Sequence, residues 1–163
     1  MMQDRTDLKV SRQKEQFLSV LLAGQEYAMD IRCVREIRGW AATTQLPYAP
    51  NFIKGMINLR GSVLLVVDLA QRLGLGCTEP SPASVIVVAE HENRVVGLLV
   101  DAVCDIVTVT DEMRQNTPQT GSNVPSSYIG GLIMMEDRII SILSIESVIP
   151  DEQMQAIADG ATI

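Results

Sequence analysis

Apolar residues in this chain fall in short runs, closed by turn residues and arranged in pairs. Phe17 to Ala23 and Tyr27 to Asp30 flank Gly24-Gln25-Glu26, which predicts two strands about a turn. Ile31 to Glu36 reads as one helical turn before a strand near Ile37, and Ala41 to Pro50, with Pro47 and Pro50, as a loop. Phe52 to Asp68 holds two apolar runs about Asn58-Leu59-Arg60-Gly61, the pattern of a β-hairpin with Arg60 at its tip. Leu69 to Leu73 suits a short helix stopped by Gly74. Val85 to Ala89 and Arg94 to Val100 form another hairpin about residues 90–93, and Ala102 to Thr110 is extended. Asp111 to Ser127 is polar and turn-rich, and Ile129 to Leu143 is a further hairpin. Residues 1–15 lack periodicity and read as a flexible tail; residues 151–163 read as a short helix capped by Asp151, or a tail. Many short strands and few helices make residues 16–150 an all-β domain of small barrels.

The hairpin over residues 53–69 occurs twice. Residues 129–145 lie over it without a gap, so that Gly55 falls on Gly131, Ile57 on Ile133, Val63 on Ile139 and Val66 on Ile142. Val34-Arg35-Glu36-Ile37 resembles Val103-Cys104-Asp105-Ile106, and Phe17 to Leu22 resembles Ser84 to Ala89. Three blocks in the same order, roughly 70 residues apart, are too widely spaced for a solenoid. They imply two similar units, residues 16–76 and 83–150, joined by the connector Cys77 to Pro82 and open to exchange of strands. The overlay places Val63 and Ile139 at matching positions, expected to point into barrel interiors. Polar positions that differ between the copies, Arg60 against Glu136 and Asp68 against Ser144, are candidates for function.

Composition narrows the picture. Hydrophobic residues make up 47% of the 163 but aromatics only 4%, so the core is aliphatic and strand-favouring. A net charge of −7 argues against a nucleic-acid partner. No apolar run approaches the ~20 residues of a membrane helix, and Met1 to Asp7 has no secretory signal. Cys33, Cys77 and Cys104 are widely spaced and odd in number, as in reduced thiols of a cytoplasmic protein.

Catalytic patterns are scarce. Asp30, Asp68 and Asp101 each end an apolar strand, which suits turn caps; a small hydrolase built on them is the enzymatic alternative. The only histidine, His91, falls in a predicted turn, and neither a metal site nor a cofactor loop is evident. Met134-Met135 reads either as core filling or as an adaptable contact surface. Trp40 reads either as packing against its own barrel or as an interface residue.

Val34-Arg35-Glu36-Ile37-Arg38-Gly39, Phe52 to Gly61 with its Asn-Leu-Arg-Gly block, Val66-Val67-Asp68-Leu69 and Val95 to Asp101 resemble the bacterial chemotaxis coupling family, CheW. The resemblance covers residues 16–150. It implies two intertwined five-stranded SH3-like barrels around a shared apolar core, with one or two short helices. It also implies a non-enzymatic signalling adaptor in the cytoplasm, without cofactor or metal, which reaches the membrane only through receptors. Its partners would be the cytoplasmic tip of a chemoreceptor (a methyl-accepting chemotaxis protein) and the regulatory domain of the histidine kinase CheA; a module of another chemosensory or motility pathway is the alternative. Carried over by motif, Val34, Glu36, Arg60, Val85, Gly97 and Ile106 would face the receptor, and Lys54 and Gly55 in the first unit would lie nearer the kinase. Glycine at position 97 would let a partner helix approach closely.

Overall fold

The computed structural model describes residues 14–116 and 125–150. The expected tail over residues 1–13 and the helix at Asp151 lie outside them. Two sheets contain the eleven strands: β1 (Glu15–Leu22), β2 (Gln25–Asp30), β3 (Val34–Gly39), β4 (Ile53–Leu59), β5 (Ser62–Asp68), β6 (Val85–His91), β7 (Arg94–Val100), β8 (Ala102–Val109), β9 (Arg114–Gln115), β10 (Ile129–Met134) and β11 (Ile139–Leu143). Short helices α1 (Leu69–Arg72) and α2 (Ile145–Val148) follow β5 and β11.

The sheet orders reveal the relation between the two copies. Barrel I runs β8-β1-β2-β11-β10-β9, and barrel II runs β3-β6-β7-β5-β4. By the sequence overlay β1, β2, β3, β4 and β5 correspond to β6, β7, β8, β10 and β11. Apart from the two-residue edge strand β9, both barrels therefore have one order, and each joins the first two strands of one copy to the last three of the other. The exchange is sealed by parallel pairs, β2 with β11 and β5 with β7. Even the irregularities repeat. The β4–β5 ladder slips between Ile53 and Gly55, and the β10–β11 ladder between Ile129 and Gly131. Gly55 and Gly131 share an unusual φ, 148° and 150°, which suits glycine at a bulge.

One apolar cluster joins the barrels, drawing Leu18, Val20 and Leu22 from barrel I, Val87, Val96 and Leu98 from barrel II, Leu69 and Val148 from the helices, and Leu73 from the end of α1. Each barrel also has its own interior: Phe17, Val107, Ile133 and Ile140 in barrel I; Leu64, Val66, Ile86 and Leu99 in barrel II. Because strands such as β7 bury both faces, they are continuously apolar rather than alternating. Arg72 lies near the join. Its guanidinium stacks on Phe52 at 4.3 Å and lies 5.5 Å from Tyr128, residues that the overlay makes equivalent. Its Nε donates to the Val148 carbonyl at 3.1 Å, at the end of α2.

Several boundaries differ from the expected ones. The first hairpin turns at Ala23-Gly24, both at positive φ, so β2 starts two residues before Tyr27. The helical turn after Asp30 is a 3-10 turn over only Ile31–Cys33. His91 ends β6 and is half-buried, while the turn belongs to Glu92-Asn93. Within the polar 111–127 stretch the chain still forms β9, and α2 was not anticipated. Val63 and Ile139 hold matching places but do not point into the interiors. Ile139 is 56% exposed, and Val63 packs outward beneath the 41–50 loop with Leu46 and Leu65. Leu64 and Ile140, one residue on, are the interior residues.

Asp68 also departs from its candidate role. It is buried and accepts from the Thr78 backbone N–H and hydroxyl, both at 2.8 Å, and from the Gln71 N–H at 3.3 Å. It ties the connector to the start of α1. Ser144, its counterpart, bonds the Ser147 hydroxyl at 3.2 Å. Asp68→Ala should cost roughly 2–3 kcal/mol in urea denaturation, since it strands buried donors, and Asp68→Asn, which retains one acceptor oxygen, should cost less.

Candidate functional site

The β4–β5 hairpin closes more tightly than its sequence suggests. Leu59 pairs with Ser62, leaving only Arg60-Gly61 to turn. Their φ values of 54° and 88° define the primed turn that matches strand twist, and the Asn58 side chain accepts from the Gly61 N–H at 2.8 Å. Arg60 thus projects from a rigid tip, its side chain 68% exposed. It donates to Oε2 of Glu36 on the edge strand β3. Arg38, two residues along the same strand, donates to the other oxygen, Oε1, at 3.4 Å. The hydrogen bond from Arg60 pulls the Glu36 carboxyl below its ordinary value against some desolvation, with Arg38 adding to the pull. Glu36 reciprocally raises the Arg60 guanidinium. Arg35, on the β3 bulge, turns instead to Glu90 at 3.2 Å.

Beside the hairpin lies an open groove of about 580 Å³ between Arg38, Ala41, Met56, Asn58 and Gly61. Trp40 does not line it; its ring packs on the interior of barrel II. The two methionines divide their roles: Met135 packs on the interior of barrel I, and Met134 is 39% exposed.

The remaining candidate residues are distributed unevenly. Val34 and Val85 are half-buried against the shared core, at opposite ends of the β3–β6 ladder. Ile106 is 55% exposed on β8, the edge strand of barrel I next to β1. Gly97 is buried, and a Cβ there would lie 2.7 Å from Ile86 Cγ2 and 3.2 Å from Leu64 Cδ2. The space beside it is taken by the protein's own side chains, so glycine at this position is accounted for by packing rather than by close approach of a partner. Gly55 is buried likewise; a Cβ would lie 2.5 Å from the Thr44 carbonyl oxygen of the overlying loop. Lys54 is half-buried beside it, and because of strand exchange both belong to barrel II, together with β6 and β7 of the second copy.

Barrel I carries a counterpart of the ion pair. Asp105, which the overlay matches to Glu36, pairs with Arg138 at 3.5 Å, and Arg138 also reaches Glu26 at 3.5 Å. The overlay had set Glu136 opposite Arg60. The second copy carries its arginine two positions later, at Arg138, whose carbonyl accepts from the Met135 N–H at 2.9 Å across the turn. Arg38 was also missed as a site residue, although residues two apart on a strand share a face and Glu36 was already marked.

Asp30 and Asp101 are each engaged at a turn. Asp30 caps the 3-10 turn and pairs with Arg32 at 2.6 Å, and that hydrogen bond lowers its carboxyl. Asp101 accepts from the Ala23 N–H at 3.0 Å, holding the tip of the first hairpin. With Asp68 tied to Thr78, each of the three is hydrogen-bonded at a turn or connector. Among the described residues no group of three or more His, Cys, Asp or Glu could hold a metal ion, and no helix is long and apolar enough to cross a membrane.

Two SH3-like barrels fused through one core, with a salt-bridged arginine displayed on a rigid turn, define a module suited to protein recognition. The family is established by sequence: residues 16–153 match the CheW-like domain, and the chain belongs to that family. A "Chemotaxis protein CheW" from Rhizobium meliloti (strain 1021) is 44% identical over 141 residues, covering 86% of this chain and 91% of the relative. Another so named, from Klebsiella aerogenes, is 32% identical over 147 residues, covering 90% and 89%. The crystal structure of the scaffolding protein TtCheW from Thermoanaerobacter tengcongensis superposes with a TM-score of 0.77 at 28% identity, covering 85% of this chain and 89% of that one.

Proposed function

We propose that this chain is a chemotaxis adaptor that couples the cytoplasmic tips of transmembrane chemoreceptors to a CheA-type histidine kinase, with no chemistry of its own. The observation that carries this reading is the Arg60–Glu36 pair: a guanidinium set on a rigid turn and oriented by a carboxylate, yet still largely open to solvent. Such a group can fork onto a carboxylate or carbonyl of an incoming helix. Val34 and Val85 supply apolar contact at the rim of the shared core, and Ile106 extends the receptor surface onto barrel I. Gly97 contributes by letting Ile86 and Leu64 pack close. Lys54 and the backbone at Gly55 form the kinase side. Family membership and the relatives named as chemotaxis proteins support the same reading. The protein works in the cytoplasm and meets the membrane only through receptors.

Pelleting tests it. Membrane vesicles bearing a chemoreceptor, incubated with the kinase, should carry the kinase down only when this chain is added. A kinase that stays in the supernatant with the chain present overturns the proposal.

A further inference from the structure

The two oxygens of Glu36 are held by different arginines, Oε2 by Arg60 from the hairpin tip and Oε1 by Arg38 from the same strand. The two guanidiniums differ in freedom. The Arg38 side chain is 40% exposed and lines the groove at the foot of the hairpin, whereas that of Arg60 is 68% exposed at its tip. Among the described residues, the charged groups acting on Glu36 are these two; the neighbouring Arg35 is engaged by Glu90 on β6.

We infer that Arg38 is a positioning residue, a second cation that keeps Glu36 paired when Arg60 turns away to a partner. This rests on the proposed role of Arg60 in receptor binding. Without Arg38, releasing Arg60 leaves a partly desolvated carboxylate with no cation, and that loss opposes binding. With it, Glu36 exchanges a shared arrangement for a single ion pair on its own strand. Glu36 thus has two jobs: it orients Arg60 in the free protein and lets go of it cheaply. Arg38 contributes to the second job without touching the partner.

The inference has a readout that needs no receptor. The Glu36 side-chain carboxyl is followed by NMR through a pH titration in wild type, Arg60→Ala, Arg38→Ala and the double variant. In Arg60→Ala the carboxyl should still titrate below the ordinary glutamate value, because Arg38 takes it over. Only the double variant should reach that ordinary value. If Arg60→Ala alone restores it, Arg38 is no substitute and the inference is wrong. A second arm uses a receptor cytoplasmic fragment. Arg38→Gln should weaken its binding about twofold to fivefold, the scale of an exposed ion pair, and Arg38→Lys should recover most of that. In a Glu36→Ala background Arg38→Gln should have no effect; an undiminished effect there would make Arg38 a direct contact and overturn the indirect role. Failure of the Arg60 receptor-contact reading on which this rests would show separately, as wild-type receptor binding by Arg60→Glu.

Discussion

Reversing the charge of Arg60 should leave the fold intact and remove most receptor binding. The residue sits at a two-residue turn with its side chain in solvent, and its contact with Glu36 is on the surface. Arg60→Glu should therefore unfold within about 0.5 kcal/mol of wild type in urea, as ordinary surface substitutions do. It also places two carboxylates, residue 60 and Glu36, where an ion pair had been, and sets a negative charge against whatever acceptor the partner offers. Losing a hydrogen-bonded charge contact at an interface costs roughly 2–5 kcal/mol, so affinity for a receptor cytoplasmic fragment should fall by tens of fold or more. Binding to the kinase regulatory domain, assigned to the Lys54 side, should change little. Glu36→Ala should weaken receptor binding by less, since it frees Arg60 without reversing it. Titration of both variants against both partners checks this. Unchanged receptor affinity for a folded Arg60→Glu would remove the hairpin tip from the site.

Neighbouring isoleucines on β11 should differ sharply in their effect on stability. Ile140 is fully buried in the interior of barrel I, whereas Ile139 is 56% exposed. Ile140→Ala should cost about 2–5 kcal/mol through lost burial and the cavity left behind. Ile139→Ala should stay within about 0.5 kcal/mol. Urea midpoints of the two variants measure the contrast directly. Equal midpoints would mean that the strand lies one residue out of phase with the structure described above, because a single-residue slip exchanges its two faces.

That phase is where reading the sequence fell short. The hairpins were visible because turn residues punctuate them. The duplication was visible because three blocks recur in order, one of them without a gap, and the structure sets its matched glycines, Gly55 and Gly131, at the same bulge with φ of 148° and 150°. Val63 to Val67, however, is an unbroken apolar run with both faces covered, and such a run carries no alternation from which to tell inside from outside. Intertwined barrels were expected from the resemblance, but which strands exchange was not legible in the sequence pattern. Equivalent strands of the two copies carry equivalent patterns, so local sequence satisfies either pairing, and only the three-dimensional path selects one. At the site, the hairpin pattern supplied Arg60, the resemblance added Glu36, and strand periodicity would have added Arg38. The packing reason for Gly97 depends on Ile86 and Leu64, which approach it from strands on either side of β7 and leave no mark near residue 97.

The exchange also sets a timetable for synthesis. Strands β1 and β2 leave the ribosome first, yet the strands that complete their barrel are β8, β10 and β11, at the far end of the described chain. At ordinary translation rates the first hairpin waits on the order of ten seconds for them. During that interval Phe17, Leu18, Val20 and Leu22, all buried in the finished molecule, have β2 on one side and lack β8 on the other. Barrel II, whose strands are contiguous from β3 to β7, can close while barrel I is still half made. The nascent chain therefore carries a sticky, unfinished edge until β8, β10 and β11 emerge, and a ribosome stalled after β7 has emerged leaves a protein with one barrel and a fragment of another.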